Sequence, residues 1–100
     1  MTVHIYGKQG CELCKSAKKK VNHFLQRWGV DEEVEVAFMD MATDHHAAAE
    51  GDYFDVFEIP TVMVMRDESS VHARWDGGAP PSDELQAALS EVAGVEIQAA

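Results

Sequence analysis

The stretch that most limits what this chain can become is Tyr6-Gly7-Lys8-Gln9-Gly10-Cys11-Glu12-Leu13-Cys14-Lys15, where both cysteines of the protein stand with two residues between them. The run before it, Val3-His4-Ile5-Tyr6, is short, β-branched and aromatic and stops at Gly7 and Gly10, so it reads as a strand ending in a loop. The run after it changes period. Ala17, Val21, Phe24, Leu25 and Trp28 recur at spacings of three and four, which lines one face of a helix. Cys11 therefore falls where a strand hands over to a helix, at or just before the first turn. The unpaired N–H groups of a helix N-terminus favour an anion, and a thiolate there can have its pKa lowered from about 8.5 into the range of roughly 3.5 to 7.5. Such a cysteine is a nucleophile at neutral pH. A second thiol one turn on, at Cys14, is placed to attack a mixed disulfide formed at Cys11 and to close an intramolecular Cys11–Cys14 disulfide.

The rest of the chain is scaffold for this pair. Its 100 residues suffice for one domain with one core, expected over residues 1–94 with 95–100 as a mobile tail. A composition of 46% hydrophobic and 26% charged residues argues against disorder. No apolar stretch approaches the length of a bilayer, and the N-terminus begins a strand instead of a charged-then-apolar signal, so a cytoplasmic location without membrane contact is expected. In a reducing compartment two cysteines point to catalysis or metal binding before a structural staple.

The net charge of −10 is unevenly placed. Residues 1–28 carry six lysines and arginines (Lys8, Lys15, Lys18, Lys19, Lys20, Arg27) against Glu12 alone, whereas residues 29–100 carry only Arg66 and Arg74 against seventeen carboxylates. Lysines on the outer face of an amphipathic helix are ordinarily a solvated face. Here they are also the only basic region, and a field of that sign favours the Cys11 thiolate and draws an acidic ligand or partner. A patch this small in so acidic a chain is not a nucleic-acid surface.

Gly29 ends the first helix. Val34 to Met39 begins with alternation and becomes continuously apolar, as a strand does in the middle of a sheet. Thr43 or Asp44 caps a short second helix through His45, His46, three alanines and Glu50, stopping at Gly51. Tyr53, Phe54, Val56 and Phe57 are expected to pack beneath the following loop or to close a further turn. Pro60 opens the apolar strand Val62 to Met65, Arg66 to Ser70 makes a hairpin connection, and Val71 to Trp75 alternates as an edge strand. Asp76-Gly77-Gly78-Ala79-Pro80-Pro81 is a loop. Ser82 is the expected N-cap of a last helix whose buried face is Leu85, Ala88, Leu89 and Val92, ended by Gly94.

The order β-α-β-α-β-β-α calls for parallel crossovers through the helices that separate the first strands and an antiparallel hairpin at the end. The result is an α/β fold with a four-stranded mixed sheet and helices on both faces. The combination of a strand, Lys8-x-x-Cys11-x-x-Cys14, a helix and a later Ile59-Pro60-Thr61 before a strand resembles the glutaredoxins and the wider thioredoxin-like superfamily, from about Val3 to Val92. The same glutaredoxin-type, thioredoxin-like architecture is what the resemblance implies.

It also implies roles. Cys11 would be the nucleophile and Cys14 the resolving thiol, where common dithiol glutaredoxins have a proline after the first cysteine and this chain has Glu12. Lys8 matches the lysine with which glutaredoxins bind a carboxylate of glutathione. Pro60 matches the family's cis-proline, whose preceding residue, here Ile59, offers its backbone to the substrate as a strand would. Gly77 matches part of the glutathione site, although Gly77-Gly78 is followed by Ala79-Pro80-Pro81, a spacing more similar to thioredoxin-type proteins.

The function expected is a glutaredoxin-like thiol-disulfide oxidoreductase, acting on protein disulfides or glutathione mixed disulfides. It would work as a monomer without a bound cofactor or metal, with glutathione as co-substrate or a thioredoxin-reductase-like donor. An alternative is a dimer that uses Cys11 to hold an iron-sulfur cluster or another soft metal. A third is an adaptor whose lysine-rich helix docks an acidic partner. His45 and His46 point about a hundred degrees apart and form no i, i+4 metal pair. His4, His23 and His72 read as isolated.

Overall fold

In the computed structural model, which describes residues 1–94 and 97, the hydrophobic periods become β1 (Thr2–Gly7), α1 (Glu12–Arg27), β2 (Glu35–Asp40), α2 (His45–Tyr53), β3 (Thr61–Asp67), β4 (Ser70–Asp76) and α3 (Ser82–Ala93). The strands form one four-stranded mixed sheet in the order β2-β1-β3-β4. Alternation decides what each sheet face carries. Val3 and Ile5 of β1 with Val62 and Val64 of β3 point to one side, where Ala17, Val21 and Leu25 of α1 and Leu85, Ala88 and Leu89 of α3 close a core. Tyr6, Met63 and Met65 point to the other, beneath Met41, Phe54 and Val56 around α2. Each of these large apolar side chains contributes about 1.5–3 kcal/mol by leaving water.

Two topological expectations are corrected. β1 and β2 are parallel, as a helical crossover requires, but β3 runs antiparallel to β1. Helix α2 has nine residues, and the irregular segment 54–60 brings the chain back to the end of the sheet that it left. That return sets the start of β3 beside the end of β1. The second correction concerns β2, which is an edge strand and not an inner one. Its continuous apolarity comes from cover on both faces: Val36 packs on the α1 side and Met39 on the α2 side.

Local chemistry accounts for most element ends. Asp44 caps α2, its carboxylate accepting from the N–H groups of His46 and Ala47. Gly51 does not end that helix, which continues to Tyr53; it is glycine because Met41 Sδ lies where a Cβ would be. Ser82 is the first residue of α3 and not its cap. Pro81 takes the cap position without a side-chain bond, and Gly94 closes the helix in the left-handed region at φ +73°. Of the four residues expected to pack or to close a further turn, Tyr53 ends α2 and is 71% exposed, Phe54 and Val56 pack around Tyr6, and Phe57 is 89% exposed. Of the expected tail, residues 95, 96 and 98–100 lie outside the described residues. Ile97 is described and has partners: it is buried against the α1–α3 core, and its N–H donates to Ser90 Oγ at 2.9 Å. No helix among the described residues is long and apolar enough to cross a membrane.

Candidate active site

Cys11 is the N-cap of α1, with extended backbone at φ −87° and ψ 111°, and its Sγ accepts the N–H of Cys14 at 3.2 Å. Its partner is Cys14. The two form a disulfide with their Cα atoms 5.2 Å apart. The two sulfurs live in different surroundings, since Cys14 is 1% exposed whereas Cys11 is partly open to solvent. Cys14 owes its burial to Gly7. A Cβ on Gly7 would stand 2.7 Å from Cys14 Sγ and 3.3 Å from Phe38 Cε2, so only glycine at the end of β1 lets the helix come down on the sheet there.

The predicted residues fall on two sides of this disulfide. Lys8 is exposed and shares a groove of about 460 Å³ with Cys14, Lys15, Lys18 and Phe38. Ile59 and Pro60 lie on the β3 side, because the register pairs Tyr6 with Thr61 and so sets Pro60 next to the end of β1. The Ile59–Pro60 bond is cis. Among the described residues the backbone of Ile59 makes no hydrogen bond, which leaves a free edge. Gly77 is one strand further out. Its N–H donates to the Pro60 carbonyl at 2.8 Å, and at φ +86° it passes under Glu58, whose Oε2 would meet a Cβ at 2.7 Å. Gly77 thus holds the proline loop from behind.

Sequence reasoning missed the group that ties this loop down. Arg74 of β4 donates from Nη1 to the Phe54 carbonyl at 2.6 Å and from Nη2 to the Asp55 carbonyl at 3.3 Å, and it pairs with Asp76 at 2.8 Å. The Thr61 hydroxyl has one hydrogen for two acceptors, the Glu58 carbonyl at 2.6 Å and Asp76 Oδ1 at 3.0 Å. A signal for Arg74 was present, since it is one of two cations in residues 29–100.

Hydrogen bonding from the Arg74 guanidinium, helped by the Thr61 hydroxyl, holds the Asp76 carboxyl below its ordinary 3.8. A depressed carboxyl adds stability that is fully present above the unfolded pKa and is lost as pH falls through the folded one. The stability advantage of the wild type over Asp76→Asn is therefore expected to be constant above about pH 5 and to shrink below 3.8. Urea unfolding of both proteins across that range checks it; a gap that widens on acidification would remove Asp76 from the clamp.

Two of the histidines expected to be isolated have partners. His72 lies between Arg66 and Glu91. His4 lies beside Tyr6, whose hydroxyl donates to Glu50 at 3.4 Å. Burial lowers the His4 pKa and raises that of Tyr6, to which the Glu50 charge adds. His4 and Glu50 line a cavity of about 570 Å³ with Met1, Thr2 and Arg66, at the end of β1 away from the cysteines. Among the described residues no three metal-ligating side chains converge.

Sheet order, a disulfide at the start of α1 and a cis-proline opening β3 define the class: the chain has a thioredoxin-like fold. No protein-family model and no curated protein sequence matches the chain. Solved thioredoxins match its structure. Thioredoxin of Fasciola hepatica is 22% identical at a TM-score of 0.64, over 90% of this chain and 78% of that one. Thioredoxin-2 of the malaria parasite is 17% identical at 0.68, over 90% and 81%. Thioredoxin 1 of Thermosipho africanus is 17% identical at 0.61, over 94% and 96%.

Proposed function

We propose that the protein is a thiol-disulfide oxidoreductase working through Cys11 and Cys14. The observation that carries this reading is the asymmetry of the pair, an open sulfur at the helix N-terminus bonded to a buried one in the first turn. In the reduced protein the Cys11 thiolate receives the Cys14 N–H bond and the positive end of a sixteen-residue helix. It attacks one sulfur of a substrate disulfide; that bond breaks, and the departing sulfur leaves as a thiolate that takes a proton. Cys14, deprotonated, then attacks Cys11 Sγ. The substrate's second sulfur leaves, the substrate has gained two electrons, and the protein holds the Cys11–Cys14 disulfide for an external dithiol or thiol to reduce.

The unpaired backbone of Ile59 supports docking of an extended substrate along the proline edge. The finer assignment is glutaredoxin-like, with Lys8 and the Ile59–Pro60 edge as the glutathione-binding groups and glutathione as electron donor. Gly77, whose N–H holds the Pro60 carbonyl, completes that set at the proline edge.

The test supplies oxidised protein with NADPH and either glutathione with glutathione reductase or thioredoxin reductase alone, and follows NADPH loss in the presence of a protein disulfide. Consumption is expected with one of the two systems. Turnover through glutathione supports the glutaredoxin type, turnover through thioredoxin reductase alone replaces it with the thioredoxin type, and turnover with neither overturns the oxidoreductase reading.

A further inference from the structure

The groove on the β2 side of the disulfide takes no part in the two sulfur exchanges themselves, yet Cys14 lies in its wall beside Lys8. Its other walls are basic and aromatic. Lys18 holds its ammonium 5.6 Å from the centre of the Phe38 ring, and Lys15 sits 3.7 Å from Glu12. Neither Lys8 nor Lys18 forms an ion pair among the described residues. Lys15 is largely answered by Glu12; Lys8 and Lys18 are not answered by any carboxylate. In a chain of net charge −10, an anionic partner is repelled by most of the surface and meets two uncompensated cations beside the reactive sulfurs.

We infer that this groove binds an acidic segment of the protein substrate adjoining its target cysteine, and so selects disulfides flanked by aspartate or glutamate. The inference rests on the oxidoreductase reading. The geometry gives the substrate two grips on opposite sides of Cys11: its backbone pairs with the Ile59 edge on the β3 side, and its carboxylates reach Lys8 and Lys18 on the β2 side. An extended chain advances about 3.3 Å per residue, so the carboxylates that meet a groove walled by Cys14 are those close in sequence to the target cysteine. The Phe38 ring forms an apolar floor for the methylenes of a glutamate, and it keeps Lys18 at the wall. Backbone pairing alone does not discriminate between sequences; the lysines do.

Three matched synthetic peptides test this, each with one cysteine in mixed disulfide with a chromogenic thiol and flanked by two glutamates, two glutamines or two lysines. Two exposed ion pairs, each good for a factor of about three, combine to about tenfold in kcat/KM for the acidic over the neutral peptide at low salt. The ratio is expected to approach one at about 1 M salt. It is also expected to approach one in the Lys8→Gln/Lys18→Gln protein at low salt. Equal rates for acidic and neutral peptides in the wild type, or a ratio that the double variant retains, would overturn the inference while leaving the oxidoreductase reading intact. If no peptide is reduced, that reading fails, and anisotropy of a cysteine-free, fluorescently tagged acidic peptide decides the groove separately. Salt-sensitive binding that the double variant loses supports the site; absence of binding overturns it.

Discussion

Replacing Cys11 by serine is expected to remove disulfide reduction by a factor of at least about a thousand, on the scale of losses seen when a covalent nucleophile is deleted. The size follows from position. Cys11 is the sulfur open to solvent, whereas Cys14 is 1% exposed and cannot reach a protein substrate before the first turn of α1 opens. A serine keeps the N-cap, since a hydroxyl accepts the Cys14 N–H as well as a sulfur does, so the fold survives and the loss reports chemistry. Cys14→Ser gives the opposite signature: Cys11 still attacks, nothing resolves the product, and a covalent mixed disulfide with the substrate accumulates. Reduction of insulin by a small dithiol, with mass spectrometry of both variants, separates the two. If Cys11→Ser reduced insulin at a rate near wild type, or if Cys14 were the residue found attached to substrate, the assignment of roles would be wrong.

How much of this was legible beforehand depended on the kind of signal. Periodicity, continuous apolar runs and helix caps together placed all seven elements, and Val3 and Ile5 against His4 and Tyr6, or Ala17, Val21 and Leu25, must face a core somewhere. Periodicity carries no direction, so the antiparallel setting of β3 was lost. That setting depends on how segment 54–60 turns back, which Arg74 governs through carbonyls twenty and nineteen residues away in sequence. The edge position of β2 was hidden for a related reason, since a strand covered on both faces reads as apolar whether or not it has a neighbour on each side. The cysteine pair was readable because strand, loop and helix are contiguous in sequence. The groove beside it was not, because it forms only when Phe38 of the parallel neighbour comes beneath Lys18.

Gly7→Val is expected to be the most damaging change at the site that leaves both thiols in place. Gly7 is buried, and its backbone is ordinary strand, so the effect is one of space and not of conformation. The first methyl-sized atom would stand 2.7 Å from Cys14 Sγ and 3.1 Å from its Cβ. The helix cannot simply lift, because Ala17 and Val21, one and two turns on, are packed into the core at 1% and 0% exposure. Overfilling of this kind costs about 1–3 kcal/mol, which in a chain of this length lowers Tm by about 10 °C. The cost is coupled to one partner. In a Cys14→Ala background the sulfur is gone, so Gly7→Val should cost clearly less there, and the double-mutant cycle should show a coupling of about 0.5–3 kcal/mol. Function should fail at a specific step as well: displaced from Cys11, Cys14 resolves slowly, so kcat falls and the mixed disulfide at Cys11 builds up during turnover. A variant that melts like wild type, or a cycle with no coupling, would mean that Cys14 does not rest on Gly7.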